Sequence, residues 1–212
     1  MSPSPSFSER DPARLRAFVR RHPFATIVVK TKDPVPVVAH VPCLLDDEPA
    51  PWGTLRFHVG LSNPIVAAIH VARPVLAVFH GPDGYVSPSW YRDPVHHVPT
   101  WNYAVVHAYG RALALSQRAD AARLLADLSR EHEGPEPAWT FGSLDATLRE
   151  ELIPEIAYYR VEIARLEGIF KLSQNREPED RERVRLAFER RGRADDREMA
   201  AEMGKRAPMS PP

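Results

Sequence analysis

Three prolines, Pro88, Pro94 and Pro99, interrupt the chain between two segments that otherwise alternate like strands. Each removes a backbone donor and fixes its own φ, so a regular ladder across residues 88–99 is excluded and an irregular surface loop is expected. Before the loop, residues 75–80 form an apolar run, Gly81-Pro82-Asp83-Gly84 has turn chemistry, and Tyr85-Val86-Ser87 resumes the strand. After it, alternation places Trp101, Tyr103, Val105, His107 and Tyr109 on one face and Asn102, Ala104, Val106 and Ala108 on the other. One face is aromatic with polar tips; the other is small and apolar. The same region holds Trp90, Tyr91, His80, His96 and His97, although aromatic residues make up 8% of the chain. This density suggests a pocket wall, and ordinary sheet core is the competing account.

Other global features narrow the function classes. Lys plus Arg and Asp plus Glu number 28 each, so no net charge steers the molecule to nucleic acid or to anionic lipid. Cys43 has no second cysteine to pair with and sits between Pro42 and Leu44, where a buried hydrophobe is expected rather than a nucleophile. No basic, apolar leader and no run of membrane-spanning length occurs in the 212 residues, so a cytoplasmic location is expected.

In chain order, residues 1–8 are Ser/Pro-rich and read as an extended arm. Asp11-Pro12 opens a helix with Leu15, Phe18 and Val19 as its apolar stripe, stopped by Pro23. Residues 24–31 and 35–45 read as a hairpin, 52–59 as a third strand, and Asn63-Pro64 as the start of a short helix. Residues 117–132 and 144–153 read as helices, 156–169 as a strand with a bulge near Ala164, and 177–191 as a charged helix before a Pro-terminated tail. About six strands with peripheral helices give an α+β chain built on an antiparallel barrel.

Longer motifs carry a resemblance: PFAT at 23–26, HVxxxNP at 58–64, GPxxYVSPSWY at 81–91, VPTWNYAVVHAYG at 98–110 and KLSQNR at 171–176. In this order they resemble the PaiB family of FMN-binding split barrels, relatives of pyridoxamine-phosphate oxidase. The resemblance implies a homodimer with two equivalent flavin sites at the subunit interface, and members are commonly labelled negative transcriptional regulators. It divides the chain into the arm at 1–8, an FMN-binding split-barrel domain at 9–176, and a charged helix and tail at 177–212.

A flavin needs a slot for its ring, donors for its dioxopyrimidine edge and cations or amides for its phosphate. The expected cofactor-binding residues are Ala25, Thr26 and Ile27 on the first long strand, His58, Ser62 and Asn63 at the short helix, and Trp101 and Asn102 in the aromatic strand. Lys171, Ser173, Gln174 and Arg176 complete the set. Leu61 stands where the family pattern carries arginine, and Val95-His96 where it often carries Gly-Lys, so weak or partial FMN occupancy is expected.

Other split barrels bind heme, and for heme b the axial ligand would be His58; otherwise no metal site is expected. A third reading is a regulatory or binding protein without turnover. The arginines at 181–193 are interleaved with Glu179, Asp180, Glu182 and Glu189 and no helix-turn-helix is evident, which argues against direct DNA contact. No residue is identified as a catalytic base, and whether the chain is an enzyme stays open between flavin oxidoreductase competence and pure regulation.

Overall fold

A computed structural model describes residues 5–70 and 73–205. Strand β1 (Ser8–Glu9) leads to helix α1 (Pro12–Arg21), β2 (Phe24–Val29), β3 (Val37–Pro42), β4 (Leu44–Asp46), β5 (Thr54–Gly60), α2 (Ile65–Ala68) and β6 (Arg73–Val86). Then follow β7 (Thr100–Leu115), α3 (Arg118–Glu133), α4 (Ala146–Leu152), β8 (Ile156–Lys171), α5 (Pro178–Arg191) and α6 (Asp196–Lys205). The strands form one sheet in the order β3-β2-β6-β7-β8-β5-β4, with β1 added to β8. Pairings β2 with β3, β2 with β6, β4 with β5, β5 with β8 and β1 with β8 are all antiparallel.

Two compact units make up the described chain. The barrel unit comprises Pro12–Phe79 and His107–Leu166. Its topology explains its curvature: β3 and β4 lie at opposite ends of the strand order yet only Cys43 separates them in the chain. The sheet must therefore curl into a half-barrel to bring those ends within one residue of each other. Sequence reading runs residues 35–45 together as one strand, but Pro42 cannot donate to a ladder and the Cys43 amide donates instead to Pro23 O at 2.8 Å. There the chain changes partners, from β2 to β5. Alternation fills the inside: Ala25, Ile27 and Val29 from β2, Leu55, Phe57 and Val59 from β5, and Val75, Ala77 and Phe79 from β6 are buried, together with Leu15, Phe18 and Val19 of α1. Gly110 makes the close approach of β7 possible, because a Cβ there would lie 2.3 Å from Glu162 O. On β8 the expected slip is present: Ala164 and Arg165 are both exposed, and the buried parity shifts by one beyond them.

The second unit holds His80–Val106, the described residues before Pro12 and those from Glu167 onward. Here Gly81 to Gly84 differ from expectation, because β6 passes straight through them. Turn chemistry is overridden by packing: a Cβ on Gly84 would stand 2.4 Å from Phe188 Cε1, so this glycine serves close contact with α5. Residues 88–99 form no strand and carry only two short 3-10 turns, Pro88–Trp90 and Pro94–His96, as the prolines require. Residues 196–205, read from sequence as part of a tail, form α6, whose Met199, Ala200 and Met203 are buried. Residues 206–212 and 1–4 of the expected tail and arm lie outside the described residues.

Candidate functional site

Strand β7 decides which face is core. Asn102, Ala104, Val106 and Ala108 are buried, whereas Tyr103, Val105, His107 and Tyr109 are half-buried and Trp101 is 53% exposed. The small face is thus the inner one, and the aromatic face is left partly open to solvent.

In the second unit, the segment that ends β8 builds a rigid turn. Ser173 takes φ = 58°, a left-handed conformation uncommon for a residue with a Cβ, and is held there by its surroundings. Asn102 and Ser173 are both buried and satisfy each other: Asn102 Nδ2 donates to Ser173 Oγ at 2.9 Å, and the hydroxyl lies 3.1 Å from Asn102 Oδ1. Gln174 is fully buried and donates to Phe170 O at 2.5 Å and to Ser6 O at 3.0 Å, while its Oε1 accepts from Leu172 N at 2.6 Å. These polar groups are therefore occupied in holding the turn. The cations on either side of them are not occupied in the same way. Lys171 Nζ donates to Thr100 Oγ1, and Arg176 lies 4.9 Å over the ring of Tyr91, but neither meets a carboxylate among the described residues. Burial, and then the Arg176 charge, hold the Lys171 pKa below its ordinary value. Tyr91 itself is buried, stacks on His97 with centroids 4.4 Å apart, and has a hydroxyl with no partner among the described residues. Tyr91 and His97 were not singled out as ligand-binding residues; the aromatic density of the loop was the signal for them.

In the barrel unit, Ala25 and Ile27 point into the core and Thr26 to the other face, where its hydroxyl lies 3.1 Å from His40 Nδ1. His58 on β5 is half-buried, its Nδ1 is enclosed without a partner among the described residues, and burial lowers its pKa. Its ring faces Tyr158 at 6.3 Å, and the Tyr158 hydroxyl, pushed up to about 12 by burial, donates to Ile153 O. Ser62 is exposed after β5, and the Asn63 side chain accepts from Ile65 N at 3.0 Å, so one amide of the four-residue α2 is already capped. Leu61 is exposed, and His96 Nδ1 lies 2.7 Å from Asp93 Oδ2. Six of the twelve expected residues thus belong to each unit.

Open clefts occur elsewhere in the barrel unit. One of about 300 Å³ is bordered by Arg20, Cys43, Asp46, Arg56, Asp127 and Arg130, and one of about 360 Å³ by Arg56, Arg123 and Arg160. None of the twelve expected residues borders either one. Sequence reading passed over these arginines; the signal available was charge at Arg56 and Arg160 inside strand patterns. Cys43 is buried as expected, and burial pushes its thiol far up in pKa. No helix among the described residues is long and apolar enough to cross a membrane, and no cluster of three metal-ligating side chains occurs among them.

This architecture has known counterparts. The chain is 29% identical to the protease synthase and sporulation protein PAI 2 of Bacillus subtilis, over 77% of each chain. It is 32% identical to an uncharacterised protein of Aspergillus fumigatus, covering 84% of this chain and 87% of that one. Among solved structures, an FAD- and heme-binding protein from Mycobacterium smegmatis superposes with a TM-score of 0.60 at 16% identity, over 78% of this chain and 73% of that one. At that identity the likeness is one of fold. Residues 1–165 match the family described as "Putative FMN-binding domain", which is more than half of the chain, and the protein belongs to that family.

Proposed function

We propose that this protein is an FMN-binding split barrel of the PaiB type that works as a homodimer, with the flavin phosphate taken by Lys171 and Arg176. The observation that carries the reading is the turn at residues 171–176, where two neighbouring cations meet no carboxylate among the described residues while Asn102, Ser173 and Gln174 are occupied in holding the turn. Burial first, and then repulsion from Arg176, lower the Lys171 pKa, and a phosphate group would relieve that repulsion. The residues fit the phosphate end of FMN. Ser173, Asn102 and Gln174 act here as positioning residues. FMN, when bound, supplies a redox-active ring, and the partly open aromatic face of β7 is a surface on which a second copy could be seated.

A titration followed by flavin absorbance tests this. Lys171→Ala and Arg176→Ala are each expected to weaken FMN by about 1 to 3 kcal/mol, the contribution of a charge-assisted hydrogen bond. Unchanged affinity in both, with native folding, would assign the segment to structure alone. The name of the Bacillus relative refers to protease synthesis and sporulation, and a regulatory role is the part of this reading that rests on that likeness. Indirect regulation fits α5, where Arg185 is compensated within the helix by Glu182 at 2.6 Å and Glu189 at 2.5 Å, and Arg183 and Arg191 are engaged by Trp90 O and Asp196. Salt-sensitive binding to random duplex DNA would speak for direct contact instead.

Heme b is a second reading, favoured by one feature: burial favours the neutral imidazole of His58, the form that ligates iron, with an enclosed nitrogen lacking a partner among the described residues. A sharp heme absorption band on adding hemin, lost in His58→Ala and accompanied by no flavin uptake, would select it over FMN.

A further inference from the structure

Like charges set directly opposite each other across paired strands destabilise the pairing. Strands β5 and β8 nevertheless align Arg56 with Arg160 in register. Arg56 is compensated: it donates to both carboxylate oxygens of Asp46, at 2.6 and 2.8 Å, and to Asp127 at 2.9 Å. Arg160 is held more loosely, by Glu162 of its own strand at 3.2 Å, with both side chains about half exposed at 48% and 54%. Helix α3 brings a third guanidinium, Arg123, which has no hydrogen-bond or ion-pair partner among the described residues. The three arginines border one cleft of about 360 Å³, together with Asp46, Asp120 and Leu115. The residues bordering the cleft thus include three arginines and two carboxylates, Asp46 and Asp120, so its lining carries an excess of positive charge, while Glu162 and Asp127, which pair with Arg160 and Arg56, stand outside that lining. Its volume falls in the range of small-molecule sites, roughly 300 to 1,000 Å³.

We propose that this cleft is a binding site for a compact phosphate-bearing anion, gripped by Arg123 and Arg160 with Arg56 behind them. Guanidinium forks match phosphate oxygens in geometry, and a dianion engages two of them at once, which offsets the cross-strand repulsion between Arg56 and Arg160. The site uses none of the residues of the flavin reading and stands or falls independently of it.

Inorganic phosphate is the probe, titrated into the full chain at constant ionic strength with chloride as the balancing ion and followed through backbone amide resonances. The expected result is saturable movement of the Leu115, Asp120 and Arg123 amides. Arg123→Gln and Arg160→Gln are each expected to weaken that binding by about tenfold, the order of one charge-assisted contact, and Lys171→Gln to leave it unchanged. Both arginines reach solvent, so the variants are expected to keep the wild-type thermal midpoint, and either one alone suffices if the other fails to fold. Movement that does not saturate, that chloride reproduces, or that survives at equal affinity in the Arg123→Gln, Arg160→Gln double variant would overturn the proposal.

Discussion

Desolvation lowers the pKa of both His58 and Lys171, with consequences at opposite ends of the pH range. For His58 the unfolded imidazole keeps its ordinary value near 6.5, so below that pH the unfolded chain binds more protons than the folded one. The stability tied to the neutral ring is fully present above 6.5 and is lost as pH falls through the depressed value. Urea midpoints are therefore expected to drop more between pH 7.5 and 5 in the wild type than in His58→Leu. Equal drops would remove His58 from the acid sensitivity of the fold. Lys171 loses its proton at a lower pH than an ordinary lysine, because its ammonium is partly buried beside Arg176. FMN affinity should accordingly decline as pH rises toward 10.5 in the wild type, and stay level in Lys171→Arg, whose guanidinium remains charged. A level profile in both would mean that the phosphate does not rely on this ammonium.

Among the elements, α5 shows how the irregular loop after β6 is held. Asp180 accepts from Arg92 N at 2.7 Å, Arg183 donates to Trp90 O at 3.1 Å, and the Trp90 and Phe188 rings meet edge to face at 5.3 Å. At the other end of the helix, Arg191 forks onto the buried carboxylate of Asp196 at 2.5 and 2.8 Å and also donates to Tyr85 O. The guanidinium beside Asp196 holds its carboxyl below the usual carboxylate range. Arg191→Ala would leave that enclosed charge without its forked partner, held only by the Arg193 amide and charge, and a loss of about 3 kcal/mol in unfolding free energy is expected, measurable by urea denaturation. A change under about 0.5 kcal/mol, typical of ordinary surface substitutions, would mean that water replaces the arginine. Local pattern made much of this architecture legible: α1 from its Pro12 start and apolar stripe, β2 from its β-branched run and β7 from alternation. Three features were not legible because a distant partner decides them. The switch of partner at Cys43 is marked in sequence only by Pro42, Gly84 reads as a turn residue until Phe188 is seen against it, and α6 carries only three buried apolar positions in a polar ten-residue stretch. The candidate site divides the same way. Its donor density at 171–176 is visible in sequence, but the mutual satisfaction of Asn102 and Ser173 spans 71 positions and only the fold reveals which donors stay available.

For the whole molecule, the oligomeric state bears most directly on function. Tyr85 and Trp101 meet edge to face at 6.1 Å and remain 36% and 53% exposed, and Val95 and Val98 of the adjoining loop are 84% and 70% exposed. Large rings and valines left open in one unit are what the core of a protein interface contains, with aromatic residues enriched and charges depleted. A two-fold arrangement would bury the same patch on both copies, so one substitution acts twice. Light scattering at micromolar concentration is expected to give twice the 23.9 kDa chain mass. Trp101→Glu should shift the species toward the monomer, since a carboxylate introduced at the centre of such a contact would be desolvated without a partner. Because Trp101 is half exposed in the single chain, the variant is expected to retain its far-ultraviolet circular dichroism, which separates loss of assembly from loss of fold. A monomeric wild type would overturn the dimer, and a Trp101→Glu variant that stays dimeric would place its interface elsewhere.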